Sequence, residues 1–176
     1  MLMKLVLDRA LRGRILDIGG GGEGVIGRIY RQQAIAIDNC QEELDEAPDV
    51  CGKMLMDATS LQFEECEFDH VTAFYSLMYM TRAEQRGAIR EACRVLKRGG
   101  SLHIWDAVIR SAYPDPFVVS LDLDADGTAL HPTYGVVKMD SQDMELFIGM
   151  CQEAGMRLMK KTMDGDQFYL LFCKNV

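Results

Sequence analysis

The sequence RILDIGGGGEGVIG, residues 14–27, decides the fold of this 176-residue chain. Its segment ILDI is a short, mostly apolar run of the kind that forms a buried parallel strand. Five of the six residues at 19–24 are glycine, and apolar residues recur with helical spacing from Val25 onwards. Glycine lets the backbone approach a ligand closely, and the first N–H groups of a helix lack partners. The order of strand, glycine turn and helix therefore predicts a cradle for a nucleotide or a similar cofactor.

The composition excludes several classes of function. The net charge is −8 at pH 7 and the pI is about 4.9, whereas binding to a nucleic-acid backbone needs a basic surface. No apolar run approaches the length of a membrane span, and the first residues carry charge too early for a signal peptide. The six cysteines form no CxxC pair and have no zinc-like spacing with histidine. We therefore expect one cytoplasmic domain at 1–176, with no metal site, no nucleic-acid partner and no membrane contact.

Strands and helices alternate through the first 109 residues, which indicates a parallel sheet with helices on both faces. Thr81 and Glu84 form a capping box that begins the longest helix, and Gly99-Gly100 is predicted to end it. The predicted elements are, in order, a helix at 2–11, strands at 15–18 and 34–37, an acidic helix ending near 47, strands at 54–56 and 69–75, the capped helix, and a strand at 101–109.

The last third of the chain departs from this alternation. Residues 117–123 and 133–138 flank the turn Asp126-Gly127, which predicts a β-hairpin after the fifth strand. The final elements are a helix at 141–154 and two strands at 157–163 and 168–174. The turn between these two strands is tight, so they must be antiparallel.

Polar and glycine residues follow the predicted strand ends. In a parallel sheet, ligands bind beyond the carboxyl ends of the strands. The turn at 17–24, Asp38, Asp57 and the pair Tyr75-Ser76 all follow such ends. We therefore expect these residues to form one site.

The glycine turn alone leaves the cofactor open. Gly19-x-Gly21-x-x-Gly24 is also the dinucleotide motif, and Asp38 follows Gly19 at about the 20-residue distance expected for it. A nicotinamide-dependent oxidoreductase is therefore an alternative.

The neighbouring segments favour another family. The series ILDIGGGGEG, AIAID, MDATSL, FDHVTAFYSLMYM and EACRVLKRGGSLHIWD resembles the class I S-adenosylmethionine-dependent methyltransferases, and most closely their ubiquinone and menaquinone biosynthesis type. The resemblance implies an α/β fold: a Rossmann-like three-layer α/β/α sandwich. Its mostly parallel seven-stranded sheet would have an antiparallel last strand, with the hairpin inserted after the fifth strand. Residues 14–109 would form the cofactor-binding half, 110–138 the insertion, and 139–176 the C-terminal helix and strand pair.

The resemblance also implies which residues hold S-adenosylmethionine. Gly19 and Gly21 would line its methionine part, Asp17 would help to place the amino group, and Asp38 would accept hydrogen bonds from both ribose hydroxyls. Three further residues belong to the same two segments: Gly20, Gly24 and Asn39.

The adenine and the sulfonium would be held by the next two strand ends. Asp57 would accept a hydrogen bond from the adenine amino group, with Met56 and Ala58 against the ring. Tyr75 and Ser76 would lie beside the sulfonium, where an aromatic face favours positive charge. Taken without the series, Asp57 could equally cap the turn before Thr59.

The sequence departs from the family pattern in places. Glu23 precedes Gly24, where many members have no acidic residue, and Arg98 replaces the usual proline of an LKPGG turn. No NPPY-like tetrapeptide follows the fourth strand, which disfavours methylation of a nucleic-acid base. The likeness to the ubiquinone and menaquinone type, together with the missing tetrapeptide, implies a small-molecule acceptor. A cofactor-binding, non-catalytic partner subunit is the alternative.

A general base is needed only if the acceptor must lose a proton during methyl transfer. The candidates are His131, Tyr134, Tyr79 and Asp106. Two other histidines are weaker candidates. His103 lies inside a strand, which is typical of a core histidine, and His70 has no partner visible in the sequence.

The hairpin region 110–138 is predicted to cover the acceptor side of the site or to form a homodimer contact. Its segment FVVSL is more apolar than an isolated hairpin tolerates, so it needs a partner. Its aspartates imitate the start of a calcium loop, but Thr133 stands at the twelfth position in place of glutamate. A turn is therefore the better interpretation.

Overall fold

The computed structural model describes residues 4–110 and 113–176. The strands in chain order are β1 Lys4–Leu7, β2 Ile15–Ile18, β3 Ala34–Asp38, β4 Gly52–Leu55, β5 Phe68–Phe74, β6 Leu96–Ala107, β7 Phe117–Ser120, β8 Asp122–Ala125, β9 Thr128–Leu130, β10 Thr133–Val136, β11 Met156–Asp164 and β12 Gln167–Lys174. The α-helices are α1 Val25–Tyr30, α2 Gln41–Glu46, α3 Arg82–Val95 and α4 Met144–Glu153.

Seven of these strands form the central sheet, in the order β11-β12-β6-β5-β2-β3-β4. The five strands from β6 to β4 are mutually parallel, and β12 runs antiparallel to both of its neighbours. Every residue of β2 is buried, as its apolar run predicts. This is the predicted Rossmann-like sheet with an antiparallel last strand.

Two hydrophobic clusters pack against the sheet. One contains Ile89 of α3 and Phe147 of α4, and the other contains Ile26 of α1 together with Leu121 and Leu123 of the hairpin. Helices α3 and α4 therefore contribute to the first cluster, and α1 and the hairpin contribute to the second. Among the described residues, no helix combines the length and hydropathy needed to cross a membrane.

The N-terminal segment is a strand, so the prediction of a helix at 2–11 is wrong for the residues described. Strand β1 pairs in parallel with β8, with Leu5 opposite Leu123. Leu5 and Leu7 are half-buried against the second cluster, whereas Val6 is 54% exposed. This alternation has the period of a strand, and it arises because β8 offers a free edge to the segment.

The boundary between α3 and β6 also differs from the prediction. The helix ends at Val95 and the strand begins at Leu96, so Gly99-Gly100 lies inside the strand instead of ending the helix. A Cβ on Gly100 would lie 2.9 Å from the carbonyl oxygen of Asp69. The glycine pair therefore lies where the pairing of β6 with β5 is irregular, and Gly100 leaves space for the backbone of β5. This contact joins segments that are distant in the chain, so the local pattern of a helix end does not reveal it.

The two strand histidines are part of one hydrogen-bonded row. His70 contacts the Ser101 hydroxyl at 2.6 Å and the Arg12 carbonyl at 3.0 Å, so the expectation that it lacks a partner is wrong. His103 is buried and contacts Ser101 at 2.8 Å and the Tyr169 hydroxyl at 2.9 Å. It is the core histidine that the sequence predicts.

The predicted hairpin is present and consists of two strand pairs. Strand β7 pairs with β10, and β8 pairs with β9 around the turn Asp126-Gly127. The Asp124 carboxylate accepts a hydrogen bond from the Gly127 amide at 2.8 Å, so it serves the turn. Within 4–110 and 113–176, no three side chains of the metal-binding types form a group that could hold an ion.

The capping box of α3 has the predicted form. The Thr81 hydroxyl accepts a hydrogen bond from the Glu84 amide, and the Glu84 carboxylate accepts one from the Thr81 amide at 2.7 Å. Thr81→Ala should lower the free energy of unfolding by about 1 kcal/mol, measured by urea denaturation. Thr81→Ser keeps the hydroxyl and should lose much less. An alanine variant as stable as the wild type would contradict the role of the cap.

Candidate active site

A cavity of about 700 Å³ lies at the carboxyl ends of the central strands. Its walls come from the residues that follow β2, β3, β4 and β5, and from β10 of the hairpin. All twelve residues that the sequence predicts for the cofactor line it: Asp17, Gly19, Gly20, Gly21, Gly24, Asp38, Asn39, Met56, Asp57, Ala58, Tyr75 and Ser76. The topology brings them together because the ends of neighbouring parallel strands meet at one edge.

Close packing against the protein itself explains the first glycines of the turn. Gly19 has a φ of +70°, and a Cβ there would lie 2.3 Å from the Cβ of Ser76. A Cβ on Gly20 would lie 2.5 Å from a carboxyl oxygen of Asp17. The amides of both glycines donate to the Ile37 carbonyl, at 2.8 and 3.0 Å. The turn is therefore held by the ends of three strands.

Asp38 ends β3 and holds the loop on both of its sides. Its carboxylate accepts hydrogen bonds from the Cys40 amide at 3.1 Å and from the Gly21 amide at 3.3 Å. These contacts orient the carboxylate at the cavity wall. A carboxylate in this position can accept further hydrogen bonds, and the resemblance to the methyltransferases implies the hydroxyls of a ribose as the donors.

Asp17 is a buried carboxyl beneath the glycine turn. The Thr72 hydroxyl donates to it at 2.7 Å. Burial raises its pKa from 3.8 to about 7, the Thr72 hydrogen bond opposes this rise, and the negative charge of Asp38 adds to it. Asp17 therefore changes protonation near neutral pH, and a cationic ligand group next to it would favour its charged form.

Asp57 follows β4 and caps a turn with one of its two oxygens. Oδ1 accepts hydrogen bonds from the amide of Thr59 at 2.8 Å and from its hydroxyl at 2.7 Å, which lowers the pKa of the carboxyl. Oδ2 has no hydrogen-bond partner within the described ranges. The two interpretations of Asp57 are thus compatible, because one oxygen serves the turn and the other remains for a ligand.

Tyr75 occupies the end of β5 in a strained conformation. Its φ is +49°, in the left-handed region that residues other than glycine rarely adopt. The hydroxyl donates to the Gln167 side chain at 2.7 Å, and the ring stacks on Tyr134 with 5.3 Å between the centroids and 4° between the planes. Strand β5 and the hairpin therefore meet at this point of the cavity.

Of the four candidates for a general base, the structure brings two to the cavity and leaves two outside. Tyr79 and Tyr134 line the cavity. His131 is exposed on the hairpin, with Nδ1 3.6 Å from Asp122. Asp106 is completely buried. The positions of His131 and Asp106 therefore remove both from the groups that can reach an acceptor.

A buried network explains the position of Asp106. Its carboxyl accepts hydrogen bonds from the Met78 amide at 3.1 Å, the Ala107 amide at 2.8 Å and the Gln142 side chain at 2.8 Å. Burial raises its pKa to about 7, and the hydrogen bonds oppose this rise. Asp106 thus connects β6 to the segments beside it and serves the structure of the site.

The sequence does not reveal how acidic the cavity is. The described lining residues include no lysine, arginine or histidine. Seven carboxylates line it: Asp17, Glu23, Asp38, Glu43, Glu46, Asp57 and Glu84. The only sequence signals were the acidic composition of α2 and the departure of Glu23 from the family pattern.

Comparison with known families identifies the chemistry of this cavity. A family model described as "Methyltransferase domain" matches residues 16–104, just over half of the chain. The chain belongs to this methyltransferase family. It is a class I methyltransferase, and its cofactor is S-adenosylmethionine. Family membership also decides against the nicotinamide-dependent oxidoreductase. A search of curated proteins found no match.

Solved structures with the same fold have low sequence identity to this chain. An S-adenosylmethionine-dependent methyltransferase of Methanosarcina mazei has a TM-score of 0.68 and 16% identity, over 97% of this chain and 100% of that chain. A Haloferax volcanii methyltransferase in complex with the activator Trm112 has a TM-score of 0.69 and 13% identity, over 95% and 85%. The glycopeptide N-methyltransferase MtfA, in complex with S-adenosylmethionine, has a TM-score of 0.63 and 12% identity, over 94% and 88%. These likenesses show the fold alone.

Asp17 should make the stability of the cofactor-free protein depend on pH. Between its ordinary pKa of 3.8 and its folded-state pKa of about 7, the folded protein holds a proton that the unfolded chain has released. Stability therefore falls as the pH rises through this range. In Asp17→Asn this titration is absent, so the thermal midpoint should fall less than that of the wild type between about pH 5 and about pH 8.

Asp106 titrates in the same range and should preserve part of the pH dependence in the Asp17 variant. Asp115→Asn, at an exposed position, is the matched control because it removes the same charge away from the site. A pH dependence in Asp17→Asn as steep as that of the wild type would contradict the prediction.

Proposed function

We propose that this protein transfers a methyl group from S-adenosylmethionine to a small-molecule acceptor that binds beneath the hairpin. The observation that carries this proposal is that one cavity joins the twelve predicted cofactor residues to Thr133, Tyr134 and Gly135 of β10. A volume of about 700 Å³ lies within the range of small-molecule sites. The hairpin narrows the site beside Tyr75, which supports a small acceptor.

The residues of the cavity fit the cofactor. Asp38 can accept hydrogen bonds from the ribose, and Asp57 Oδ2 can accept one from the adenine amino group. Met56 and Ala58 are buried and supply an apolar wall for the ring. Asp17 lies under the glycine turn, where a ligand ammonium would favour its charged form. When bound, S-adenosylmethionine supplies an activated methyl group on its sulfonium.

The protein's own contribution is to align the acceptor and to exclude water. Burial raises the pKa of both Tyr79 and Tyr134, so both phenols remain protonated at neutral pH. A protonated phenol orients an acceptor by hydrogen bonds and does not remove its proton. The site therefore suits acceptors that need no strong base.

Three finer assignments belong to the same proposal. The likeness to the ubiquinone and menaquinone biosynthesis type rests on the sequence series alone. A cytoplasmic location is supported by six free cysteines, none of them in a disulfide. A homodimer through 110–138 remains a prediction that the mass in solution would test. Part of the apolar surface of the hairpin is covered within one chain, because β8 pairs with β1 and Leu121 and Leu123 are buried in the second cluster.

Asp38→Ala tests the cofactor half of the proposal. We expect the wild type to bind S-adenosylhomocysteine and not NAD in isothermal titration calorimetry. The variant loses charge-assisted hydrogen bonds, each of which contributes about 1.5–3 kcal/mol, so its affinity should fall at least tenfold. Asp38→Asn keeps one acceptor oxygen and should be intermediate. NAD binding without S-adenosylhomocysteine binding, or unchanged affinity in a folded Asp38→Ala variant, would contradict the proposal.

Tyr134→Ala tests the acceptor half. The variant removes the ring that stacks on Tyr75, and such a stack contributes about 0.5–1.5 kcal/mol beyond its buried area. With labelled S-adenosylmethionine and a small-molecule panel, we expect kcat/KM for the acceptor to fall about tenfold or more. The affinity for S-adenosylhomocysteine should change little. Tyr134→Phe keeps the ring and should keep most of the activity. Full activity in Tyr134→Ala would remove the hairpin from the acceptor site.

A further inference from the structure

We infer that the acceptor is a small amine, recognised as an ammonium ion by Glu23 together with the hydroxyls of Tyr79 and Tyr134. This inference rests on the proposed function and names the class of substrate for the same cavity. It is carried by the chemistry of the groups that surround the acceptor end, which differ from those that hold the cofactor.

The acceptor end of the cavity contains oxygen atoms and no positive side chain. Glu23, Tyr75, Tyr79 and Tyr134 all line this cavity, and the rings of Tyr75 and Tyr134 stack on each other. The Tyr75 hydroxyl donates to Gln167 and is thereby occupied. The Tyr134 hydroxyl has no hydrogen-bond partner among residues 4–110 and 113–176, so it is available to a ligand. The described cavity lining contributes no lysine, arginine or histidine.

Among the described residues, the side chain of Glu23 makes no contact that would hold the fold together. Its backbone carbonyl accepts a hydrogen bond from the Arg28 side chain at 2.7 Å. Its carboxylate makes neither an ion pair nor a hydrogen bond within the part of the chain that the structure describes. The residue lines the cavity, and its charge acts on both Tyr79 and Tyr134. The loop thus contributes a negative charge to the cavity that the two phenols also line.

An ammonium ion matches this set of groups. It carries three N–H donors, no acceptor and a positive charge, whereas the carboxylate and the two phenol oxygens can each accept a hydrogen bond. A carboxylate or phosphate acceptor would share the cavity with the carboxylates of Glu23, Glu43, Glu46 and Glu84, in a described lining that offers no lysine, arginine or histidine. A neutral alcohol could donate a hydrogen bond to Glu23 but would carry no positive charge to pair with its negative charge. The electrostatics of the cavity therefore favour an amine over either alternative.

Glu23 also provides a route for the proton that an ammonium must lose. One N–H proton passes to the Glu23 carboxylate and then to water, since this residue is exposed. The nitrogen lone pair then forms the N–C bond to the methyl group as the C–S bond breaks, and that electron pair stays on sulfur. No tyrosine has to ionise in this scheme.

The test uses three probes of similar shape and different charge: benzylamine, benzyl alcohol and benzoate. Each is titrated by calorimetry into the full-length protein saturated with S-adenosylhomocysteine. We expect benzylamine to bind more tightly than benzyl alcohol, and benzoate not to bind. Glu23→Gln keeps the shape of the side chain and should weaken benzylamine binding about five- to tenfold. Glu65→Gln, an exposed position away from the cavity, removes the same charge and should leave benzylamine binding unchanged.

The outcomes separate this inference from the proposed function. If S-adenosylhomocysteine fails to bind, the proposed function fails and the inference fails with it. If it binds, but benzylamine binds no better than the other probes or none of the three binds, the amine assignment is overturned while the cofactor site stands. Equal benzylamine affinity in Glu23→Gln and the wild type would likewise overturn the role of Glu23.

Discussion

The contact between Gly19 and Ser76 is the constraint on which the site depends. A Cβ at position 19 would lie 2.3 Å from that of Ser76, and the Ser76 hydroxyl donates to the Ile18 carbonyl at 2.6 Å. The contact therefore holds the ends of β2 and β5 side by side without space for a larger residue. It places Asp17 beneath the turn and Tyr75 at its edge. The position of the cavity follows from this packing.

The hairpin adds a wall to the cavity at the carboxyl ends of the strands. Its strand β8 pairs with β1, and Tyr134 on β10 stacks on Tyr75. Beyond β10, the Lys138 ammonium donates to the carbonyls of Met78 and Met80, at 3.1 and 2.6 Å. The first contact joins the hairpin to the N-terminal strand, and the other two fix it against the segment that follows β5. This end of the cavity is thus built by residues that lie more than fifty positions apart in the chain.

Burial gives the carboxyl groups around the site different pKa values. Asp17 and Asp106 are enclosed without a fully compensating cation, so the pKa of each rises to about 7. Hydrogen bonds from the amide and hydroxyl of Thr59 lower the pKa of Asp57, which keeps this exposed carboxyl ionised. Asp106 serves the structure beside β6, whereas Asp17 is held by Thr72 beneath the glycine turn and still lines the cavity. The exposed Asp57 keeps one oxygen for a ligand. Sequence composition shows the number of acidic residues but not this division.

Local patterns predicted most of the sheet and the polar and glycine residues at its strand ends, because strand periodicity, glycine turns and caps are encoded by neighbouring residues. The resemblance to the methyltransferases assigned twelve residues to the cofactor, and the structure brings all twelve to one cavity. Parallel strand ends meet at one edge, so the site followed from the strand order. The tertiary structure decided the rest. The segment at 4–7 is a strand because β8, more than a hundred residues away, offers it an edge. Asp106 is bound by Gln142, and Glu23 and Tyr134 line the same cavity, although the members of each pair are distant in the chain. Such contacts depend on how the elements pack, which no local pattern records.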